Sequence, residues 1–585
     1  MRFTISNGIS LISLAECAAV ALALGLFLFP GCNDSYSIYD EGIAVYGAER
    51  VEHGQVPYRD FWTMYAPGQY YLLALLFKIF GTKLIVERVL ATSIATILCF
   101  LICATMTKSA SRSEALLCTA LTAFWLGGLK FFGSPMPTAL AFAMASALFF
   151  TQYLGGAGRR HLLATGLFAG VATLFRHDIG GYVIVSESIM LMVTAAARRV
   201  KPQALDYLWH PKWWRPLATL LGGYALVLIP VAGYFLVRVP AADLVSDLIT
   251  FPSEIYPRMR SLPFPALWSA AAGNHSWLGV VRAIFSPSNP SLAYYLPPAV
   301  YAVAAAVLLY HLRLRRLSAL TAPLMIRLFF LVLGVLFFIQ ASVRSDIHHF
   351  LPTFLPAIIL SGLLLVDLEA RLRLRRGAAS YAIAIAITIV SALSVQRSSL
   401  LYRLNLIAET VIGAQHCHLP GSRASEIRID GDCSDYRALI RFIQESVPPG
   451  EKIFVGNTRH DRIVKNDILL YFLTDRECAV RYHELHPGLA TTAVVQQEIV
   501  DDIRESGVRF IILCDIKGNE PNESSVSSDV FLLDDYLGRE FPIVCQFGRY
   551  SIGRRDVDAN HELVTPPKSN TPQNGFGCRP SYQPY

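Results

Sequence analysis

The chain has 585 residues, of which 53% are hydrophobic and only 16% charged. Soluble globular chains carry about 25% charged residues, so this deficit excludes an ordinary soluble domain and points to a polytopic membrane protein. The net charge of +7 falls in short basic clusters between apolar runs, which is an orientation signal and not a nucleic-acid footprint.

The first 31 residues could pass for a signal peptide. They lack a small-x-small cleavage site before Pro30, and many apolar runs follow, so they read as a retained first helix. A bilayer span needs roughly 20 mostly apolar residues. Runs that meet this lie at about 9–30, 84–107, 114–131, 134–153, 161–175, 179–197, 216–237, 293–312, 322–342, 350–367 and 377–395, eleven in all. A twelfth run, 67–80, is short and contains Gln69 and Lys78.

Charge decides whether 67–80 crosses, because Lys and Arg concentrate in short cytoplasmic loops. If it does not cross, one side receives Lys108/Arg112, Arg159/Arg160, 198–215, Arg313/Arg315/Arg316 and Arg371/Arg373/Arg375/Arg376. The opposite short loops then hold only Lys130, Arg176 with Asp178, and Arg344 with Asp346. The non-crossing arrangement is preferred. It puts the loop 30–83, the loop 238–292 and everything beyond about 396 on one outer face. The Pro-rich 238–292 loop reads equally well as a flap over that face or as a spacer.

Composition changes near residue 400. Residues 435–445 and 496–505 read as amphipathic helices, and 452–455, 508–514 and 542–547 as short buried strands. Alternating strands and helices imply a small α/β domain over 399–556, followed by a polar, disordered tail at 557–585. The eleven cysteines show no zinc spacing; Cys417 and Cys433 flank a polar loop and could pair outside the cytoplasm.

The residues that could carry chemistry centre on Tyr39-Asp40-Glu41-Gly42, just past the first apolar run. Two adjacent carboxylates at the mouth of a bilayer are costly, so a use is expected for them. Asp40 and Glu41 suit a base and its partner, since glycosyl transfer to a hydroxyl needs a carboxylate to take the acceptor proton. The bland alternative is a helix N-terminus that favours acidic residues. Behind them lies Gly54-Gln55-Val56-Pro57-Tyr58-Arg59-Asp60-Phe61, whose Asp60 is either a second site carboxylate or a partner of Arg59 or Arg50. Tyr58, Trp62, Tyr65, Tyr70 and Tyr71 suit both a headgroup layer and sugar stacking.

An external loop with Asp-Glu, then GxxPYxDF, then an apolar segment ending in Gly and a following Arg resembles the GT-C superfamily of membrane glycosyltransferases. Within it, residues 35–95 look most like the bacterial branch of protein O-mannosyltransferases and lipid A aminoarabinose transferases. The resemblance implies a polyprenyl-phosphate sugar donor, an inverting reaction on the extracytoplasmic face of the bacterial inner membrane, and juxtamembrane helices in the first loop. It puts Asp40 in the place of the catalytic carboxylate. The acceptor it leaves open as a glycan, lipid or protein of the cell envelope.

Further residues then become candidates for donor or substrate binding. Arg88 sits near the outer end of a span, where a guanidinium needs a phosphate or a carboxylate such as Glu87. Arg176 and Asp178, and Arg344, Asp346, His348 and His349, occupy short outer loops where a donor phosphate and sugar would lie. Asp346 with the two histidines could hold a divalent metal, but adjacent histidines on a regular segment rarely share one ion; no cofactor is implied. Two other functions compete: a transporter or flippase, and a non-catalytic component of envelope polymer assembly. The first usually carries polar groups at mid-membrane, of which the spans between 84 and 237 show few.

Overall fold

The computed structural model describes residues 14–128, 131–200, 214–267, 276–284, 291–315, 321–372, 408, 417–429, 432–516 and 518–555. It is a helical bundle joined to a small mixed sheet. The expected span at 377–395 and the tail at 557–585 lie outside the described residues.

The helices run α1 (Leu14–Leu28), α2 (Asp40–Glu52), α3 (Gly68–Phe80), α4 (Leu84–Met106), α5 (Arg112–Gly128), α6 (Met136–Leu154), α7 (Arg159–Phe175), α8 (His177–Val200) and α9 (Trp214–Arg238). After the connecting loop's short helices α10 (Ala241–Val245), α11 (Tyr256–Arg260) and α12 (Trp277–Ile284) come α13 (Ser291–Arg315), α14 (Ala322–Ala341) and α15 (Ile347–Leu372). Seven are long and apolar enough to cross a membrane: those at Leu84–Met106, Met136–Leu154, His177–Ala197, Trp214–Arg238, Ala293–Arg313, Ala322–Ala341 and Ile347–Arg371. This is a multi-pass membrane protein. The runs expected at 9–30, 114–131 and 161–175 are helices of 15, 17 and 17 described residues, short of that length.

At 13 residues, α3 is about 20 Å long, too short for a hydrocarbon core of about 30 Å. One face, with Tyr70, Leu73, Ala74 and Phe77, is buried; Leu75, Ile79 and Phe80 on the other are more than half exposed. Such a helix suits the layer between bilayer and water.

Two cores organise the chain. The bundle has its own, built from α4 to α8 with α13, α14 and α15. The second is shared: Ile43, Val45, Tyr46, Phe61, Trp62, Tyr70, Leu73 and Phe77 pack in one cluster with the C-terminal region. The first loop is therefore buried against the C-terminal domain and is not a free surface loop. Residues 41–50 of α2 are all buried. A Cβ at Gly42 would run into the backbone of Ile468 and Leu469, so the Leu469–Thr474 helix can dock only on glycine there. Its Leu469 amide donates to Ile38 O at 3.0 Å.

The C-terminal sheet has the order β3-β4-β6-β5, with β3 (Phe454–Asn457) parallel to β4 (Phe510–Cys514), and β6 (Tyr550–Arg554) antiparallel to both β4 and β5 (Ile543–Phe547). Helices Ser434–Ser446 and Ala493–Glu505 match the expected 435–445 and 496–505. A two-stranded ribbon, β1 (Cys417–His418) with β2 (Arg428–Ile429), precedes them, and Cys417 is disulfide-bonded to Cys433.

That closed loop acts as a strap on the first loop. Arg428 N donates to Asn33 O and Ser35 N to Arg428 O, each at 2.7 Å, and Leu84 N donates to Arg423 O at 2.8 Å. A disulfide closing a loop of about 15 residues contributes about 3 kcal/mol in the chain-entropy view. Replacing both Cys417 and Cys433 by serine is expected to lower the thermal midpoint of the purified protein by several degrees. An unchanged melting curve would contradict the strap.

Candidate functional site

The loops at one end of the bundle converge on the first turn of α2. Asp40 there is exposed and Glu41 fully buried. Adjacent positions on a helix point about 100° apart, so the pair divides into one carboxylate facing out and one facing in. Asp40 N donates to Ser37 Oγ at 3.1 Å, and Ser37 Oγ lies 3.3 Å from Asp40 Oδ2. The helix N-terminus also favours a negative charge at this place.

Glu41 faces Arg88. The guanidinium gives Nε to Glu41 Oε1 and Nη2 to Glu41 Oε2, the latter at 2.7 Å. Its remaining donors reach Cys32 O and Asp34 O at 3.2 Å and Ser35 O at 2.7 Å. A guanidinium has five N–H donors, and these contacts engage all of them. Both side chains are 0% exposed. Glu41, expected beside Asp40 as a site carboxylate, is a buried counter-ion, and Arg88, expected at a phosphate or a carboxylate, holds the 32–35 turn with all its donors engaged. The carboxylate partner foreseen as the alternative for Arg88 is present, but it is Glu41 at close range, with Glu87 Oε2 at 3.9 Å.

The segment after α5 closes over this turn. Gly133 has φ +77°, and a Cβ on it would strike Asp40 O and Glu41 Cα. Its amide donates to Glu87 Oε1 at 2.6 Å.

Groups from three other segments lie within electrostatic reach of Asp40. Its charge acts on Tyr65, His348 and Glu484. Tyr65 and Tyr256 in turn act on Arg176. His348 is exposed, with its ring edge-on to Phe131 at 5.2 Å. Asp40 and His348, both named from the sequence, are thus within electrostatic reach of one another, and Arg176 is linked to Asp40 through Tyr65. Glu484 and Tyr256 join this group of side chains through their effects on, or from, Asp40 and Arg176.

The other predicted residues sit at its margins or away from it. Arg176 is forked onto Asp178, with Nε to Oδ1 at 3.0 Å, and Gln340 Nε2 donates to Asp178 Oδ2 at 3.2 Å. Tyr58 is 0% exposed, donates to Tyr65 O at 2.8 Å, and stands edge-on to Phe235. It therefore holds the backbone of Tyr65 from a buried position. Asp60 accepts Val56 N at 2.6 Å and pairs with Arg59 at 2.7 Å, which closes the local turn and takes it out of the site.

Arg344 and Asp346 form a latch. Arg344 donates from Nη1 and Nη2 to the two oxygens of Glu520, each at 2.9 Å, and from Nε to Asp346 Oδ2 at 2.9 Å. Asp346 also takes His349 Nδ1 at 2.8 Å. The 238–292 loop lies under this latch. Arg260 O accepts from Arg344, Asn522 donates to Ser261 O at 3.0 Å, and Phe251 is edge-on to Trp62 at 4.9 Å. The stretch around Phe251–Ser261 of this loop is thus packed against the first loop and the C-terminal region. Among the described residues no group of three His, Cys, Asp or Glu side chains could hold a metal ion.

The latch has a pH signature. Burial alone would raise the Glu520 pKa, but hydrogen bonds from Arg344 and Asn522 and the charge of Arg260 bring it down to about 2. A depressed carboxylate contributes stability above its ordinary value of 4.5, and that contribution is lost as pH falls through about 2. Limited proteolysis of the 238–292 loop is expected to quicken as pH falls below about 4.5 in the native chain. In Glu520→Gln it should already be fast at pH 7, with no further acid limb.

No family model matches the sequence, and no curated protein does. Solved structures do. ArnT from Cupriavidus metallidurans in the apo state aligns over 92% of this chain and 97% of its own, at 14% identity and TM-score 0.49. The Archaeoglobus fulgidus oligosaccharyltransferase in the apo form aligns over 86% and 69%, at 12% identity and TM-score 0.46. The archaeal oligosaccharyltransferase AglB from the same organism, in complex with an inhibitory peptide and a dolichol-phosphate, gives 12% and 0.42. These are GT-C glycosyltransferases, the superfamily that residues 35–95 resemble. With TM-scores below 0.5, the likenesses assign no substrate and no residue role here.

Proposed function

We propose that the chain is an inverting glycosyltransferase that moves a sugar from a polyprenyl-phosphate donor to an envelope acceptor on the extracytoplasmic face. The observation that carries this reading is Asp40: an exposed carboxylate, fixed on a helix N-terminus, beside a first loop that packs in one core with the C-terminal region.

In this reading Asp40 takes the proton of an acceptor hydroxyl as its oxygen attacks the anomeric carbon. The bond between that carbon and the phosphate oxygen breaks, and polyprenyl phosphate leaves with the electron pair. One direct displacement inverts the anomeric centre. Tyr65 and Tyr256 offer ring faces and hydroxyls to the sugar. Arg176 and His348 are the cationic or donor groups offered to an arriving phosphate, and Arg344 acts as the latch described above. Asp178, Asp346 and His349 orient them by the contacts given above. The α3 helix keeps the lipid carrier's head at the level of Asp40.

A transporter would use polar groups at membrane depth. Glu187 in α8 is such a group, fully buried, with Ser146 Oγ donating to it at 2.6 Å. It supports no route on its own, since its neighbours on α6 and α7 form part of the bundle's apolar core. Mass analysis of envelope glycans and glycoproteins from cells lacking the chain tests the proposal. A sugar missing from one acceptor names that acceptor, and an unchanged glycan profile would sink the reading.

A further inference from the structure

Glu484 lies in the C-terminal region, more than 400 residues from Asp40, yet it meets the residue next to Asp40 and lies within reach of its charge. It is 0% exposed. Tyr39, the residue before Asp40, donates its hydroxyl to Glu484 Oε1 at 3.1 Å. Glu484 Oε2 is buried with no hydrogen-bond partner. No cation is ion-paired with it among the described residues. The groups that face it are Tyr39 and Asp40 from α2, Tyr65 and Tyr70 from the segment behind, and Arg260 from the 238–292 loop. Arg260 is held elsewhere, by Glu520 at 3.5 Å and Val464 O at 2.5 Å.

A buried carboxylate with one neutral donor, an orphaned oxygen and a second carboxylate nearby is unfavourable in its charged form. The protonated acid removes the conflict, because its O–H can occupy the orphaned side. Burial and then the Asp40 charge push its pKa up, to about 8, against the pull of the Tyr39 hydrogen bond and of Arg260.

Resting on the transfer reading, we propose that Glu484 is a positioning residue of the site: a neutral carboxylic acid, supplied by the C-terminal domain, that leaves Asp40 as the single carboxylate without a basic partner where the anionic donor arrives. The C-terminal domain then contributes to chemistry directly, by setting the charge around Asp40. Ionising Glu484 would place a second negative charge there and repel the donor phosphate. Replacing it by glutamine would fix the neutral state at every pH.

The test uses the full-length protein in detergent with undecaprenyl phosphate as the probe, its affinity measured between pH 7 and 9.5. The probe's own second ionisation, near pKa 6, is complete over that range. Wild type is expected to lose affinity about 10-fold across it, while Glu484→Gln stays flat. Infrared difference spectra of the same samples should show a protonated-carboxyl band that disappears near pH 8. The band should be missing in Glu484→Gln and titrate at lower pH in Asp40→Asn, a shift that a merely structural glutamate would not produce. Parallel affinity profiles in wild type and Glu484→Gln, with no band lost, would overturn the role given to Glu484 and leave the transfer reading standing. No binding by wild type at any pH would remove the donor reading, and the role of Glu484 with it.

Discussion

Asp40→Asn is expected to cut sugar transfer by about 10²–10⁴-fold while the protein still reaches the membrane in normal amounts. That is the range a positioned general base supplies. The competing account of Asp40 is a helix N-terminal charge, worth about 0.3–1 kcal/mol of stability and nothing in turnover. The two differ by orders of magnitude in rate, so one variant separates them. Asparagine keeps the size of the side chain and an oxygen for Ser37, so the local turn with its 3.1 Å contact from Asp40 N is not disturbed. It removes only the capacity to accept a proton. The loss should appear in kcat, because Asp40 acts as the acceptor oxygen attacks and not in holding the donor. Full activity of Asp40→Asn in cells would leave transport or scaffolding as the better accounts.

The bundle was legible in the sequence because membrane spans are long apolar runs, and hydropathy reads them directly. That the run 67–80 forms a helix too short to span a bilayer was legible too, from its length. What the sequence could not show was the different fate of Asp40 and Glu41. As neighbours in the chain they look like a pair, and only the partner 47 residues away decides which of them turns inward. The same blindness applies to Glu484 and Tyr256. Each sits in a segment with no periodic signal, and each joins the side chains around Asp40 and Arg176 through contacts that span hundreds of residues. In the C-terminal domain, β6 escaped because Tyr550-Ser551-Ile552-Gly553-Arg554 alternates weakly and carries a glycine. It exists as a strand because β4 and β5 pair with it on both sides. The Leu469–Thr474 helix escaped because a six-residue apolar run fits a strand as well as a helix.

The second large effect is expected at Arg88. Arg88→Ala removes one half of a fully buried ion pair and leaves Glu41 charged with no counter-ion. Breaking a buried pair in this way costs about 3–5 kcal/mol. The carbonyls of Cys32, Asp34 and Ser35 lose the Arg88 donors as well, which loosens the turn leading to Asp40. The variant is therefore expected to express poorly or to melt at a much lower temperature, with activity lost as a consequence of lost fold. A phosphate-binding arginine would behave otherwise: the protein would stay folded and the donor KM would rise with little change in melting. The double variant Arg88→Met with Glu41→Gln discriminates further. It removes both charges together, so it should recover part of the stability lost by Arg88→Ala, since a buried pair replaced as a unit leaves no orphan charge. If the single variant melts like wild type, or the double is no better than the single, the Glu41–Arg88 pair is not what holds the site, and the inward fate of Glu41 would need another cause.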